Sequence, residues 1–352
     1  MAIIYPEQSF GKFKLGLGFN FKFIHEKFGF DLGERFHKDP AYRIKTIQDI
    51  DREIFKLHGG IGVGFKEPFP RPSVEPFGHR FMPAMYGCHC RFEKDSEPWA
   101  EGIFYTEDEI FDLKKWSWED FKKSAPVQET VKQAEYLHEK YGAFSSCPNL
   151  GSTINTAISL RGNQLFIDYV DNPDLLKKLY RNITDLMIMA VEYFEAVDNL
   201  PAHGLGIGNC SVGMISPVNY QKINMEFDMD FMNFARKKGA RFGMHQDSNV
   251  TPHIRNYAQL SYISGLDFGM DTDFELLAHF FSKVHLNCIW FPQWIINHTS
   301  FEIAEEVGRL MELGTRFNGF SFSLYEIDEL ISDEKLFAFY GSVVKNAERF
   351  YS

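Results

Sequence analysis

The sequence predicts an α/β protein built as a (β/α)8 barrel of the TIM type, with a Phe-rich helical or irregular extension at its N-terminus. Three observations lead there. From residue 81 onward, short apolar runs alternate with longer stretches of helical periodicity, the rhythm of parallel strands joined by crossover helices. Several helical stretches open on proline, which marks helix entry. No GxGxxG with a following acidic residue stands where it would open a doubly wound sheet, and this sets that alternative back.

Taken in order, residues 1–80 are punctuated by glycine, proline and charge and carry two helices, Pro40–Lys56 being the clearer. GGIGVGF at 59–65 has no strand before it and no helix after it, so it does not read as a phosphate-cradling loop. Strands are expected at Phe81–Tyr86, Ala143–Cys147, Gly204–Ile207, Arg241–His245, Gly265–Phe268, His285–Phe291 and Gly319–Phe322. Helices are expected at Val127–Tyr141, Pro173–Val197, Pro217–Lys238, Pro252–Leu260, Asp273–Phe281, Phe301–Leu313 and Asp333–Tyr351. The division that follows is an extension over residues 1–80 packed on a barrel formed by 81–352.

Composition narrows the functional classes. At 352 residues, 44% hydrophobic and 24% charged, the chain can bury a large core. A net charge of -11 argues against a binder of nucleic-acid backbones. No apolar run is long enough to span a membrane, and no charged leader with an apolar core opens the chain. Five cysteines, an odd count spread widely, fit a reducing cytoplasm better than a disulfide framework. The expectation is therefore a cytoplasmic protein with no membrane or nucleic-acid partner. Thirty-six phenylalanines against five tryptophans make the aromatic excess apolar. Phe10, Phe13, Phe19, Phe21, Phe23, Phe28 and Phe30 crowd together, and such a segment must fill a core, line a pocket or bury itself in a partner.

The most informative motif is RFGMHQD, 241–247. It reads as a short buried strand delivering His245 and Asp247, two residues apart and so on one face, to a strand end. An imidazole and a carboxylate converging there can bind a metal, move a proton or orient one another. In a barrel the chemistry sits at the C-terminal ends of strands. Read at those ends, the sequence offers Cys88-His89-Cys90, Cys147-Pro148-Asn149, Asn209-Cys210, His245 with Asp247, Asp267 to Asp273, Trp290 to Gln293, and Tyr325-Glu326. Asn209, Cys210, Cys88, Asp271 and Trp290 are the candidate substrate contacts. CHC at 88–90 lacks the spacing of a zinc knuckle and has no companion pair. Asp273 and Ser216 also read as helix N-caps.

With those residues in view, the chain resembles the uroporphyrinogen decarboxylase superfamily, and within it the branch of corrinoid-dependent methyltransferases. The resemblance covers roughly residues 80–350. It is carried by SLRG (159–162) followed by FIDYVDNPDLLKKLY (166–180), the segment around Ser216-Pro217, RKKGARFGMHQDSN (236–249), LDFGMDTD (266–273), HLNCIWFP (285–292) and NGFSFSLYEID (318–328). It implies a barrel fold, a methyl donor bound at the strand ends, zinc or another divalent metal, and a partner protein that carries the corrinoid. Zinc enzymes of that branch use a His-x-Cys pair and a later cysteine. Here the pair is His245-x-Asp247, and the later position falls at Tyr325 or Glu326, so the expected metal set is His245, Asp247 and Glu326. Tyr325 stands by as a proton donor. The arginine-rich substrate grip of true uroporphyrinogen decarboxylases has no counterpart in residues 1–40.

The reading that follows is a methyltransferase moving methyl from a small methylated substrate, an aromatic ether fitting the phenylalanine excess, to a corrinoid protein. A decarboxylase of a small acid is the first alternative, with His245 and Asp247 as acid and base and Arg161 or Arg241 as anchors. A non-catalytic corrinoid-binding or interaction subunit is the second. The apolar N-terminal segment offers a surface for a homodimer.

Overall fold

A two-residue turn at Gly11-Lys12 folds the N-terminus back on itself. Gly11 takes the left-handed φ of 61° that such hairpin turns require at their first position. In the computed structural model, which describes residues 2–352, this hairpin joins β2 (Gln8–Phe10) to β3 (Phe13–Asn20), and β1 (Ala2–Ile4) continues the outer strand. β3 is no appendage. It pairs in parallel with β10 (Gly319–Ile327), placing residues 13–20 inside the main sheet rather than in a helical or irregular extension. The cause is its pattern: Phe13, Leu15, Leu17 and Phe19 alternate with Lys14, Gly16 and Gly18, which is strand period two.

The remaining parallel strands are β6 (Gly204–Gly208), β7 (Arg241–His245), β8 (Ile263–Gly269) and β9 (His285–Ile289). The spatial order is β1-β3-β10-β9-β8-β7-β6, an eight-stranded sheet once β2 is counted beside β3. A separate short ribbon joins β4 (Cys90–Arg91) and β5 (Trp99–Ala100). The fold is thus a mixed α/β protein with a curled, mostly parallel half-barrel.

Closure is what the sequence overstated. Phe81–Tyr86, expected as a strand, is mostly the helix Phe81–Met85, all five of whose residues are buried. An apolar run buried on every side cannot be assigned by period alone. Ala143–Cys147 joins no ladder, and near it Gly208 N–H donates to Gly151 O, at 3.0 Å. At the other edge, antiparallel β1 occupies the side of β3 where a further parallel strand would go. The helices match expectation closely, among them Pro40–His58, Ala125–Tyr141, Pro173–Asp198 and Met225–Lys238. Ser216 and Asp273 act as N-caps, Ser216 accepting from Asn219 N–H and Asp273 from Glu275 and Leu276 N–H.

The core lies between the sheet and these helices. Phe242, Met244, Leu266, Phe268, Leu286, Phe320, Phe322 and Leu324 face outward from the curl and are buried. Each such side chain contributes roughly 1.5–3 kcal/mol by leaving water. Phe13, Phe19, Phe21 and Phe23 are buried with them, and Phe10, Phe28 and Phe30 pack against the same core. The phenylalanine excess is therefore core filling. No described helix is long and apolar enough to cross a membrane, and all five cysteines are free.

Candidate functional site

Because side chains alternate along a strand, packing the apolar set outward leaves the other set facing into the curl. The register aligns His245, Asp267, Asn287 and Ser321 across β7, β8, β9 and β10. These four form one chain of hydrogen bonds. His245 Nδ1–H donates to Asp267 Oδ2 at 2.8 Å, and Asn287 Nδ2–H donates to Asp267 Oδ1 at 3.1 Å. Ser321 and Ser323 hydroxyls each donate to Asn287 Oδ1 at 3.0 Å. Tyr325 OH lies 2.9 Å from Ser323 Oγ and closes the row against Gly16, where any Cβ would stand 2.9 Å from that hydroxyl.

His245 is the hinge of this row. With Nδ1 committed to Asp267, its other nitrogen is left for the strand-end loops, where Cys210 hydrogen-bonds to the ring. Burial opposes a charged imidazole here, but the hydrogen bonds to Asp267 and Cys210 outweigh it and raise His245 from 6.5 to about 10. Cys210 opens the short helix Cys210–Met214 after β6, and Asp247 follows β7 in an exposed loop. Ligand atoms of Cys210, His245 and Asp247 all lie within 4.8 Å of one another. A soft sulfur, an imidazole nitrogen and a carboxylate oxygen at that separation fit a divalent ion of the zinc type. Asp267 behind His245 is the outer partner that such histidine ligands require.

The structure brings together some of the residues picked from sequence and not others. His245 and Asp247 converge as expected, and Cys210, expected as a substrate contact, joins them. Glu326 is exposed, at a left-handed φ of 61°, and is not a member of the converging group. Tyr325 is half-buried at the far end of the polar row. Asn209 is buried, donating from Nδ2 to Asp228 Oδ2 at 2.7 Å, so it supports the Cys210 loop from beneath. Trp290 is fully buried against Trp294, Phe322 and Phe339 and belongs to the core. Cys88 is buried, its thiol pushed up to about 11 by burial. Asp271 is exposed, its carbonyl accepting from Asn249. Arg161 is bound to Asp168 by two hydrogen bonds of 2.6 and 3.0 Å, which removes it as a carboxylate anchor.

Sequence reasoning passed over Asp267 as a site residue, along with Asn287 and His79. Asp267 was legible in principle, since it holds the same place in β8 that His245 holds in β7. His79 was not, because it comes from a 3-10 turn (Gly78–Arg80) far away in the chain. Burial, with Arg80 and His245 nearby, lowers His79 to about 4, and its Nδ1 sits 2.7 Å from Asn149 Nδ2. Beside the cluster opens a cavity of about 960 Å³, reaching from His245 and Asp267 down β6 to His203 and Gly204.

No known family matches the sequence, and no protein of curated function does. Among solved structures, a methyltransferase from Methanosarcina mazei matches 99% of this chain and 94% of its own, with a TM-score of 0.63 at 14% identity. At that identity the likeness is one of fold. A β-methylaspartase from Clostridium tetanomorphum matches 69% of this chain and 55% of its own, at a TM-score of 0.33 and 10% identity.

Proposed function

We propose that this protein is a methyltransferase that removes methyl from a small methylated donor and passes it to a corrinoid carried by a partner protein. The observation that carries the reading is the convergence of Cys210, His245 and Asp247 at strand ends, with Asp267 locking the imidazole from behind. The sequence resemblance and the fold shared with a methyltransferase support it. Cys210, His245 and Asp247 would hold zinc or another divalent ion, which supplies Lewis-acid polarisation of the atom losing its methyl. Asp267 keeps His245 in the tautomer that presents its outer nitrogen, and Asn287 with the two serines fixes Asp267 in turn.

Two details of the sequence reading change. Glu326 gives way to Cys210 as the third ligand. The aromatic-ether donor no longer rests on the N-terminal phenylalanines, which fill the core; the aromatic rings that line the cavity beside His245 are Phe144 and Phe231. The decarboxylase reading is weakened by the pairing of Arg161 with Asp168.

The test is methylation of free cob(I)alamin by the zinc-loaded protein across a panel of methylated alcohols, amines, thiols and ethers, followed by the optical change from Co(I) to methyl-Co(III). One donor class should support turnover, and His245→Ala should lower it by roughly 10²–10⁴-fold. Carbon dioxide release from a small acid, with no methyl transfer from any donor, would move the assignment to a lyase.

A further inference from the structure

The unclosed seam beside β6 is a second feature of the same cavity. The ladder between β6 and β7 is fixed by Arg241 N–H donating to His203 O and by Asn209 N–H donating to His245 O. Backbone groups alternate sides along a strand, so those of Gly204, Gly206 and Gly208 point away from β7, into the seam. Gly208 is satisfied there: its N–H donates to Gly151 O, and its carbonyl accepts from Asn155 Nδ2. Gly204 and Gly206 find no partner among the described residues. An unpaired edge of this kind is a template for another extended chain.

The facing segment does not fill the slot. Ser146 is tied to Asp198 of the helix Pro173–Asp198, its N–H donating to Oδ2 at 2.7 Å and its Oγ–H to Oδ1 at 2.5 Å. Asn149 is tied to His79. These bonds hold Phe144–Asn149 off β6, and the cavity of about 960 Å³ is the gap that results. Its two walls differ in chemistry. Toward the curl it meets Gly243, Gly265 and Asp267; toward the helices it meets Val191, Leu205 and Phe231.

We propose that this seam binds an extended peptide as an added strand along Gly204–Ile207. The free amides and carbonyls of Gly204 and Gly206 stand about 6.6 Å apart, the two-residue repeat of an extended polypeptide. Side chains of such a strand alternate, polar ones into the curl and apolar ones toward the helices, which matches the two walls. Affinity then comes from main-chain hydrogen bonds and selectivity from the alternate pockets. The cavity reaches His245, which under the methyl-transfer reading makes the methyl donor one borne on a peptide. Binding itself does not depend on that reading.

The probe is an acetylated, amidated pentapeptide alternating serine and valine, titrated by calorimetry into the whole protein. Measurable binding is expected. N-methylating its two alternate edge-facing amides should weaken it by about tenfold or more, since each lost hydrogen bond is worth roughly 1 kcal/mol. Gly204→Pro, which removes the edge N–H, should weaken it by about fivefold. In hydrogen exchange, the Gly204 and Gly206 amides should exchange fast in the free protein and slow on binding. No binding at millimolar peptide, equal binding of the N-methylated peptide, or amides already protected in the free protein would overturn the proposal. None of these outcomes bears on methylation of cob(I)alamin, so the two readings fail separately.

Discussion

At the scale of single residues, the fold displaces the ionisation of two groups, His245 and Asp228. His245 is raised to about 10, so its charged form is favoured in the folded state. That contribution to stability is fully present below about pH 6.5 and is lost as pH rises through 10. Asp267→Asn removes the partner, and the stability gap to wild type in the metal-free protein should be open at pH 6 and closed above pH 10, as read by urea unfolding. A gap that stays constant with pH would show that Asp267 acts by packing alone. Asp228 is also raised, so its pH dependence has the same sign in a lower window. Burial, opposed by hydrogen bonds from Tyr220 and Asn209, raises it to about 6 from a usual 3.8. A raised carboxyl favours the neutral form in the fold, so stability falls as pH climbs from about 4 through 6, by on the order of 2–3 kcal/mol. Asp228→Asn should flatten that slope.

At the scale of elements, β3 carries the largest surprise. Its alternation of Phe13, Leu15, Leu17 and Phe19 with Lys14, Gly16 and Gly18 was present in the sequence. It is masked by the crowd of phenylalanines around it, whose number is more conspicuous than their period. Leu17 is buried on this strand. Leu17→Ala should therefore cost about 2–5 kcal/mol, the range for a core leucine. A loss under about 1 kcal/mol in denaturant titration would show that the strand is peripheral. β7, by contrast, is found at the predicted bounds, because an amphipathic helix ending at Gly239 and a turn-rich loop bracket it on both sides. Phe81–Met85 could not be read so, since five consecutive buried residues have no face to reveal a period.

At the scale of the whole molecule, alternating strands and helices were legible from residue 200 onward, and the site's location at strand ends followed from that. What sequence could not give was the third dimension of the curl. Register across β7, β8 and β9 decides that Asp267 and Asn287 stand behind His245, and no local pattern encodes it. Nor could sequence show that the inner face would be lined by Gly243, Gly265 and polar groups instead of the branched apolar layers that fill an ordinary barrel. That lining leaves room: a Cβ on Gly243 would meet only Gly265 O, at 3.9 Å. Gly243→Ala should accordingly change stability by less than about 1 kcal/mol, whereas a larger loss would mean the interior is filled in solution.

The most direct test of the central claim is metal content. Protein reconstituted with zinc and freed of excess should hold about one ion per chain. Cys210→Ser and His245→Ala should each lose it, and Glu326→Gln should keep it. The absence of bound metal in the wild type, or full retention in Cys210→Ser, would contradict the site described here.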